Sequence, residues 1–121
     1  VNYFNKGEFE SDGQYTMTEG VGITRLVENY KLIQQDRCYT IDDQKVQHLA
    51  MFLRKEEGVV MGMSAMLNLA GAFNTALKSG KGQRIITFLC DGGERAMSKM
   101  YNPEFLKEKG LDGSILPARE I

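Results

Sequence analysis

Two short stretches place polar or glycine residues where an apolar run ends, and their residue types could hold a small ligand. Gly62-Met63-Ser64 follows the run Val59-Val60-Met61, and Asp91-Gly92-Gly93 follows the run from Arg84 to Cys90. In open α/β sheets, ligands collect beyond the carboxyl ends of parallel strands. A hydroxyl or a carboxylate at that edge can bond a ligand, so both stretches are candidates for a binding site.

Ser64 has two interpretations on local sequence alone. It lies where a predicted strand gives way to a helix, so its hydroxyl could cap that helix by accepting a bond from a free backbone N–H. The same hydroxyl could instead point outward and bond a ligand. The stretch Thr18-Glu19-Gly20-Val21-Gly22 also has two interpretations on local sequence alone. A Gly-x-Gly sequence fits a plain turn as well as a loop whose backbone approaches a phosphate or cofactor.

Local signals predict the first elements that would position these residues. Residues 37–41 fit a short strand that ends in a β-branched residue. Asp42 then fits the N-cap of a helix that ends before Gly58, the expected C′ glycine. Apolar residues recur at helical spacing along that helix, which predicts one buried face: they are Val46, Leu49, Ala50 and Leu53.

The later elements are more apolar. The helix after Ser64 is predicted to run to about Lys78 with almost no polar face, which is typical of a helix buried on both sides. The run from Arg84 to Cys90 fits a central parallel strand covered on both faces. Pro103 suits the first position of a last short helix.

The order of these elements predicts an α/β fold with a partial parallel sheet and flanking helices. The α/β core would span residues 37–111, after a long loop at 1–24 and before a mobile tail at 112–121. An open sheet usually has about 4–6 strands, and two or three are too few. We therefore expect that a piece of the domain lies outside this chain. We also expect the apolar helix after Ser64 to be exposed on one side or covered by another chain.

Composition excludes several classes of partner. A chain of 121 residues is long enough for one domain, and its net charge of −1 gives no reason to expect nucleic acid or a membrane surface as a partner. Cys38 and Cys90 match no metal spacing, so no metal site is predicted, and they fit free thiols in a reducing compartment. We expect the cytoplasm, with the mitochondrion as the alternative.

The motifs, in their order and spacing, resemble the cysteine synthase and cystathionine β-synthase family of fold-type-II pyridoxal-phosphate enzymes. The resemblance runs from about Tyr3 to Leu111 and includes Tyr101-Asn102-Pro103 after the last motif. It implies that the chain is the C-terminal part of the large domain and that residues 1–24 form a loop on the cofactor side. The resemblance places the family's Ser-x-Lys motif, whose lysine forms the Schiff base, in an N-terminal half that is absent here, so no catalytic residue is predicted within this chain.

The resemblance also implies the cofactor-binding residues. Ser64 matches the family serine that bonds the pyridine nitrogen, and its hydroxyl would donate to that nitrogen and leave it unprotonated. Thr18, Gly20 and Gly22 match the loop beside the cofactor and the substrate amino group. Asp91, with Cys90, matches the strand end beside the pyridine ring.

The sequence departs from the family pattern around these positions. Met63 stands where relatives have a small residue, and Met66 stands where they have a glycine. Gly92 replaces a serine and Ala96 replaces a tyrosine. These four changes surround the expected position of the ring, so they bear on the choice of substrate.

The activity implied by the resemblance is replacement of the acetate of O-acetylserine by sulfide to give cysteine. One alternative is the condensation of serine with homocysteine. Another is a non-catalytic fragment or partner subunit that lacks the Schiff-base lysine. The expected partners are a small amino-acid substrate and a missing N-terminal half or partner chain, and the complete enzyme would be a homodimer.

Overall fold

A computed structural model describes Phe4, Lys6, Gly7 and residues 16–21 and 26–114. After Gly7, the described residues contain four α-helices and one 3-10 turn. None of those helices is long and apolar enough to cross a membrane. The helices are α1 (Glu28–Lys31), α2 (Asp43–Glu56), α3 (Met63–Ser79) and α4 (Pro103–Glu108), and the 3-10 turn is Glu94–Ala96.

The structure confirms α2 and both of its predicted ends. The Asp42 side chain accepts a hydrogen bond from the Lys45 N–H at 2.8 Å, as an N-cap residue does. Gly58 follows the helix with a φ of +66°, which lies in the left-handed region that favours glycine. Val46 and Leu49 are buried on the predicted face of α2. Local signals were sufficient here because caps and periodicity act within one helix.

Helix α3 begins two residues earlier than the capping interpretation of Ser64 requires. Gly62 is its N-cap, and Ser64 is its second residue. The capping interpretation is therefore wrong. The first turn of α3 is buried at Met63 and Met66, whereas Phe73 is 51% exposed and Leu77 is 83% exposed. This confirms that the apolar helix lacks cover on one side.

The structure does not confirm the predicted parallel sheet. In the described part of the chain, the one β-bridge pairs Met61 with Gly92, and it is antiparallel. Residues 37–41 and 84–90 form no strand. Ile86 is 81% exposed and Phe88 is 77% exposed, so the run predicted to be a covered central strand is largely uncovered here. A strand needs a neighbour to satisfy its N–H and C=O groups, and the described residues supply none for this run.

The core lies between α2, the first turn of α3 and the segment from Ala96 to Leu106. It is rich in methionine, an unbranched residue that fills irregular spaces. Its largest fully buried side chains include Met17, Met66, Met100 and Leu106. The core joins residues that are far apart in the sequence. Met17 comes from the predicted loop, and Leu106 comes from α4.

Gln44 binds the start of the predicted tail to α2. Its side-chain oxygen accepts a hydrogen bond from the Asp112 N–H at 2.8 Å, and its side-chain NH₂ donates to the Asp112 carbonyl at 2.8 Å. The Asp112 backbone is thus bonded at both of its polar groups. Residues 115–121 lie outside the described residues.

Candidate functional site

A cleft of about 200 Å³ brings together three segments that are distant in sequence. It lies where the loop at 16–21, the first turn of α3 and the 3-10 turn meet. Three of the five predicted cofactor residues line it, namely Gly20, Ser64 and Asp91. The full lining is Glu19, Gly20, Met63, Ser64, Asp91, Arg95 and Ala96.

Ser64 and Asp91 are in direct contact. The Ser64 hydroxyl donates to Oδ1 of Asp91 at 3.1 Å. The backbone holds the two segments in register, because the Gly62 N–H donates to the Asp91 carbonyl at 3.1 Å and the Gly93 N–H donates to the Val60 carbonyl at 3.2 Å. The site therefore places a hydroxyl and a carboxylate side by side in its lining.

Gly62 is needed because Asp91 occupies the space where a side chain would lie. A Cβ at position 62 would overlap the Asp91 carboxylate. Its backbone conformation is ordinary, so close approach, and not φ, is the reason for glycine. The sequence shows Gly62 directly after an apolar run but gives no sign of which side chain fills the space.

Asp43, at the start of α2, positions the loop that carries Gly20. Its carboxylate accepts hydrogen bonds from the Thr16 hydroxyl at 2.6 Å and from the Met17 N–H at 2.7 Å. The Thr18 N–H then donates to the Thr16 hydroxyl oxygen at 3.1 Å. Gly20 has a φ of +73°, a conformation that strains other residues. No pattern in the sequence indicated this contact.

Thr18 and Gly22 are the two predicted cofactor residues that the structure does not place in the cleft. Thr18 is 3% exposed, and its hydroxyl has no hydrogen-bond partner among the described residues. A buried hydroxyl without a partner is uncommon in folded proteins. Gly22 lies outside the described residues.

Charges of both signs surround the mouth of the cleft. Lys99 forms a short ion pair with Glu19, and this contact holds the pKa of Glu19 below its ordinary value, with Arg95 adding to the effect. Arg95 lines the cleft itself. The mixture of Glu19 and Asp91 with Arg95 and Lys99 suits a ligand that carries charges of both signs.

Tyr101 is a positioning residue that sequence reasoning missed. Its hydroxyl donates to the Met61 carbonyl at 3.0 Å and accepts from the Met61 N–H at 3.2 Å. Burial raises the pKa of Tyr101. Met61 immediately precedes Gly62, so Tyr101 fixes the backbone from which the first turn of α3 starts. The partners are 40 residues apart, and no local pattern relates them.

Comparison with known proteins identifies relatives of this chain, although no protein-family model matches it. Cysteine synthase 2 of Schizosaccharomyces pombe is 38% identical over 98 residues, which cover 79% of this chain and 25% of that protein. Cysteine synthase 1 of Neurospora crassa is 35% identical over 118 residues, or 94% of this chain and 31% of that protein. Cysteine synthase of Dictyostelium discoideum is 32% identical over 107 residues, which cover 88% of this chain and 28% of that protein.

These relatives define a class of pyridoxal-phosphate enzymes of fold type II. The chain belongs to the cysteine synthase and cystathionine β-synthase family. It spans between about a quarter and a third of the length of the curated relatives described above. The relatives align to it through their C-terminal parts, which leaves their N-terminal parts without a counterpart here.

Proposed function

We propose that this chain forms the ring side of the cofactor site in a pyridoxal-phosphate-dependent cysteine synthase. The complete protein would replace the acetate of O-acetylserine with sulfide. The observation that supports this most strongly is the cleft in which Gly20, Ser64 and Asp91 meet, because these residues come from three separate segments. Each of the three was assigned to the cofactor from the resemblance of its own motif.

The residues of the cleft fit the ring of the cofactor. Met63 and Ala96 supply apolar walls, and Ser64 supplies a hydroxyl that can bond a ring nitrogen. The buried, unpartnered hydroxyl of Thr18 adds a second polar group close in sequence to the cleft. When bound, pyridoxal phosphate supplies an electron sink for chemistry at the substrate α carbon. Ligand sites usually measure about 300–1,000 Å³, so a cleft of about 200 Å³ fits one wall of a larger site.

The residues of this chain would bind and orient. The Gly20 backbone would approach the ligand closely because no side chain intervenes. Arg95 would attract an anionic group, and Glu19 would attract the substrate amino group. The lysine that holds the cofactor would come from the N-terminal part of the complete protein, since no lysine lines the cleft in the described part of the chain.

We also propose that the predicted parallel sheet forms in the complete protein. The run from Ile85 to Leu89 is exposed in this chain and has the composition of a buried strand. Strands from the N-terminal part would pair with it and cover Phe73 and Leu77 of α3. The homodimer and the cytoplasmic or mitochondrial location stay predictions.

Assays of the complete protein that carries this chain would test the proposal. We expect bound pyridoxal phosphate and sulfide-dependent formation of cysteine from O-acetylserine. Parallel reactions with serine and homocysteine test the condensation alternative. Exchange of Ser64 for alanine should lower the rate while most cofactor is retained, because the hydrogen bond of a neutral hydroxyl contributes only about 0.5–1.5 kcal/mol.

A hydroxyl outside the cleft supplies the matched control. Ser98 lies in the turn after Ala96 and does not line the cleft, so Ser98→Ala should leave the rate near that of the wild type. A complete protein that binds no pyridoxal phosphate would contradict the proposal and favour the non-catalytic alternative. Cystathionine as the preferred product would retain the cofactor assignment and change the reaction.

A further inference from the structure

The loop at 16–21 reaches the cleft through a residue that packing does not hold in place. Gly20 lines the cleft, but a Cβ at this position would meet no described atom within 4 Å beyond its neighbours in the chain. Its φ of +73° lies in the left-handed region, which glycine enters without strain. The position of the Gly20 backbone therefore depends on the contacts that the adjacent residues make.

Two contacts hold this loop before it reaches Gly20. Asp43 bonds its start, as described above. The second contact is the ion pair between Glu19 and Lys99, which joins residues 80 positions apart in the sequence. Thr18 lies between the two contacts and is buried. Because Glu19 directly precedes Gly20, the ion pair acts next to the backbone that lines the cleft.

Lys99 is the fixed partner of this pair. Its N–H donates to the Ala96 carbonyl at 3.1 Å, and its carbonyl accepts from the Asn102 N–H at 3.0 Å. The next residue, Met100, is fully buried. The side chain of Lys99 is 28% exposed, whereas that of Glu19 is 71% exposed. Lys99 therefore belongs to the packed body of the chain, and Glu19 belongs to the loop that it holds.

The charges at the mouth of the cleft favour this pairing. The hydrogen bond and the charge of Lys99 are the main reasons that the pKa of Glu19 lies below its ordinary value, and Arg95 adds less. Lys99 is not among the residues that line the cleft, so it acts on a ligand through Glu19. An ion pair at the surface contributes little and is screened by salt. Its effect on binding should therefore be modest and should depend on ionic strength.

We propose that Lys99 is a positioning residue of the cleft, whose ion pair with Glu19 holds the Gly20 backbone where the amino-acid substrate binds. This inference rests on the proposed function, which supplies the identity of the ligand. Without the pair, Gly20 would sample positions away from the cleft, and the substrate would bind more weakly. The rate of the bound substrate would change little, because Lys99 does not touch the reacting atoms.

The first test measures the loop without turnover. In the complete protein, free of cofactor and labelled with nitrogen-15 glycine, the NMR order parameter of the Gly20 N–H reports its fast motion. We expect it to fall in Lys99→Met from the rigid range, about 0.85, toward the flexible range, below about 0.6. Lys55→Met is the matched control, because it removes an amine from an exposed pair with Glu56 outside the cleft, and it should leave the value unchanged.

Exchange of the two charges makes the result specific to the ion pair. The double variant Glu19→Lys with Lys99→Glu restores a pair of opposite polarity, so it should restore the order parameter of Gly20. Lys99→Glu alone places two carboxylates side by side and should lower that value most. If Lys99→Met does not fold, Lys99→Gln takes its place with the same expectations.

The second test separates positioning from a purely structural role. In the complete protein loaded with pyridoxal phosphate, Lys99→Met should raise KM for the amino-acid substrate about two- to fivefold, the range that an exposed ion pair supports. The kcat should stay nearly unchanged, since the lost contact acts equally on the ground state and the transition state. Added salt should raise KM of the wild type more than that of the variant. Lys55→Met should keep the wild-type KM.

The outcomes separate this inference from the proposed function. If the loaded protein is active and Lys99→Met changes neither the order parameter nor KM, Lys99 has no positioning role and the proposed function stands. A change in only one of the two would also overturn the inference, because the loop and substrate binding would not be linked. A loss of order that the charge exchange does not restore would do the same. A complete protein that binds no pyridoxal phosphate would overturn the proposed function and, with it, the link from Lys99 to the substrate.

Discussion

The two ends of helix α3 lie in opposite environments. At its start, Met63 and Met66 are buried and Ser64 is bonded to Asp91. Toward its end, Phe73 and Leu77 are exposed, and the apolar run at 84–90 that follows α3 has no strand partner in the described part of the chain. The same helix is thus well packed at the cleft and uncovered about three turns away. The comparison shows that this chain packs the start of α3 and leaves its far end exposed.

The largest expected effect contrasts the two ends of α3 directly. Met66→Ala should lower the free energy of unfolding by about 2–5 kcal/mol, because it opens a cavity in the core. Leu77→Ala is the matched control on the same helix, and it should change the stability of this chain by less than about 0.5 kcal/mol. Urea unfolding of both variants measures the difference. Equal losses would show that the two ends are packed alike.

The same pair of variants tests where the missing cover comes from. In the complete protein, Leu77→Ala should cost clearly more than it does in this chain, since burial of the leucine side chain by the N-terminal part would add to its contribution. An unchanged, negligible cost in the complete protein would contradict the proposal that the N-terminal part covers this end of α3.

Tyr101→Phe tests how firmly the start of α3 is anchored. It removes the hydroxyl that bonds both polar groups of Met61, so we expect a loss of about 1–3 kcal/mol in the free energy of unfolding. Tyr39→Phe is the control, because the Tyr39 hydroxyl has a weaker contact, at 3.4 Å from the Thr75 hydroxyl. A comparable loss in both variants would argue against a special role for Tyr101.

The contribution of the Tyr101 hydroxyl to the free energy of unfolding should also depend on pH. Its pKa is raised in the folded chain above the ordinary value of 10.0, so the folded state favours the neutral phenol. The stabilisation is present below the unfolded pKa and is lost as the pH rises through the folded pKa. The difference in stability between the wild type and Tyr101→Phe should therefore shrink in alkaline solution. A stability difference between the wild type and Tyr101→Phe that grows above pH 10 would contradict this prediction.

The smallest expected effect concerns the loop that carries Gly20. Asp43→Asn leaves one acceptor oxygen for the two donors from Thr16 and Met17, so we expect a loss of about 1 kcal/mol. The Met17 amide should also exchange its hydrogen faster. Asp42→Asn is a neighbouring control with the same change of charge, and it should be nearly neutral, because asparagine caps helices about as well as aspartate. If the Met17 amide hydrogen exchanges at the wild-type rate in Asp43→Asn, then Asp43 does not hold the loop that carries Gly20.

The sequence predicted the elements whose signals are local. The N-cap at Asp42, the buried face of α2 and the glycine at 58 follow from contacts within one helix, and the structure confirms them. The N-cap at Ser64 was wrong by two residues, because a preceding glycine can start a helix without a side-chain bond. For the site, motif resemblance selected Gly20, Ser64 and Asp91, which line one cleft. Their role toward the cofactor stays a prediction.

The features that the sequence did not predict depend on distant partners. The Asp43 contact with Met17 spans 26 residues, and the Tyr101 contact with Met61 spans 40. Neither leaves a periodic or capping signal in the sequence. The strand at 84–90 was predicted from its own composition, but a strand exists only when a second one pairs with it. Composition can therefore identify a segment suited to a sheet without supplying the sheet.

The exposed run from Ile85 to Leu89 has a consequence for the behaviour of the chain in solution. It combines β-branched and aromatic residues, carries no charge and contains no proline or glycine. Such segments template intermolecular cross-β pairing when their backbone groups are unsatisfied. Separated from the part of the protein that would pair with it, the chain is expected to self-associate at high concentration through this run. Its solubility would then depend on how quickly the two parts meet during synthesis and folding.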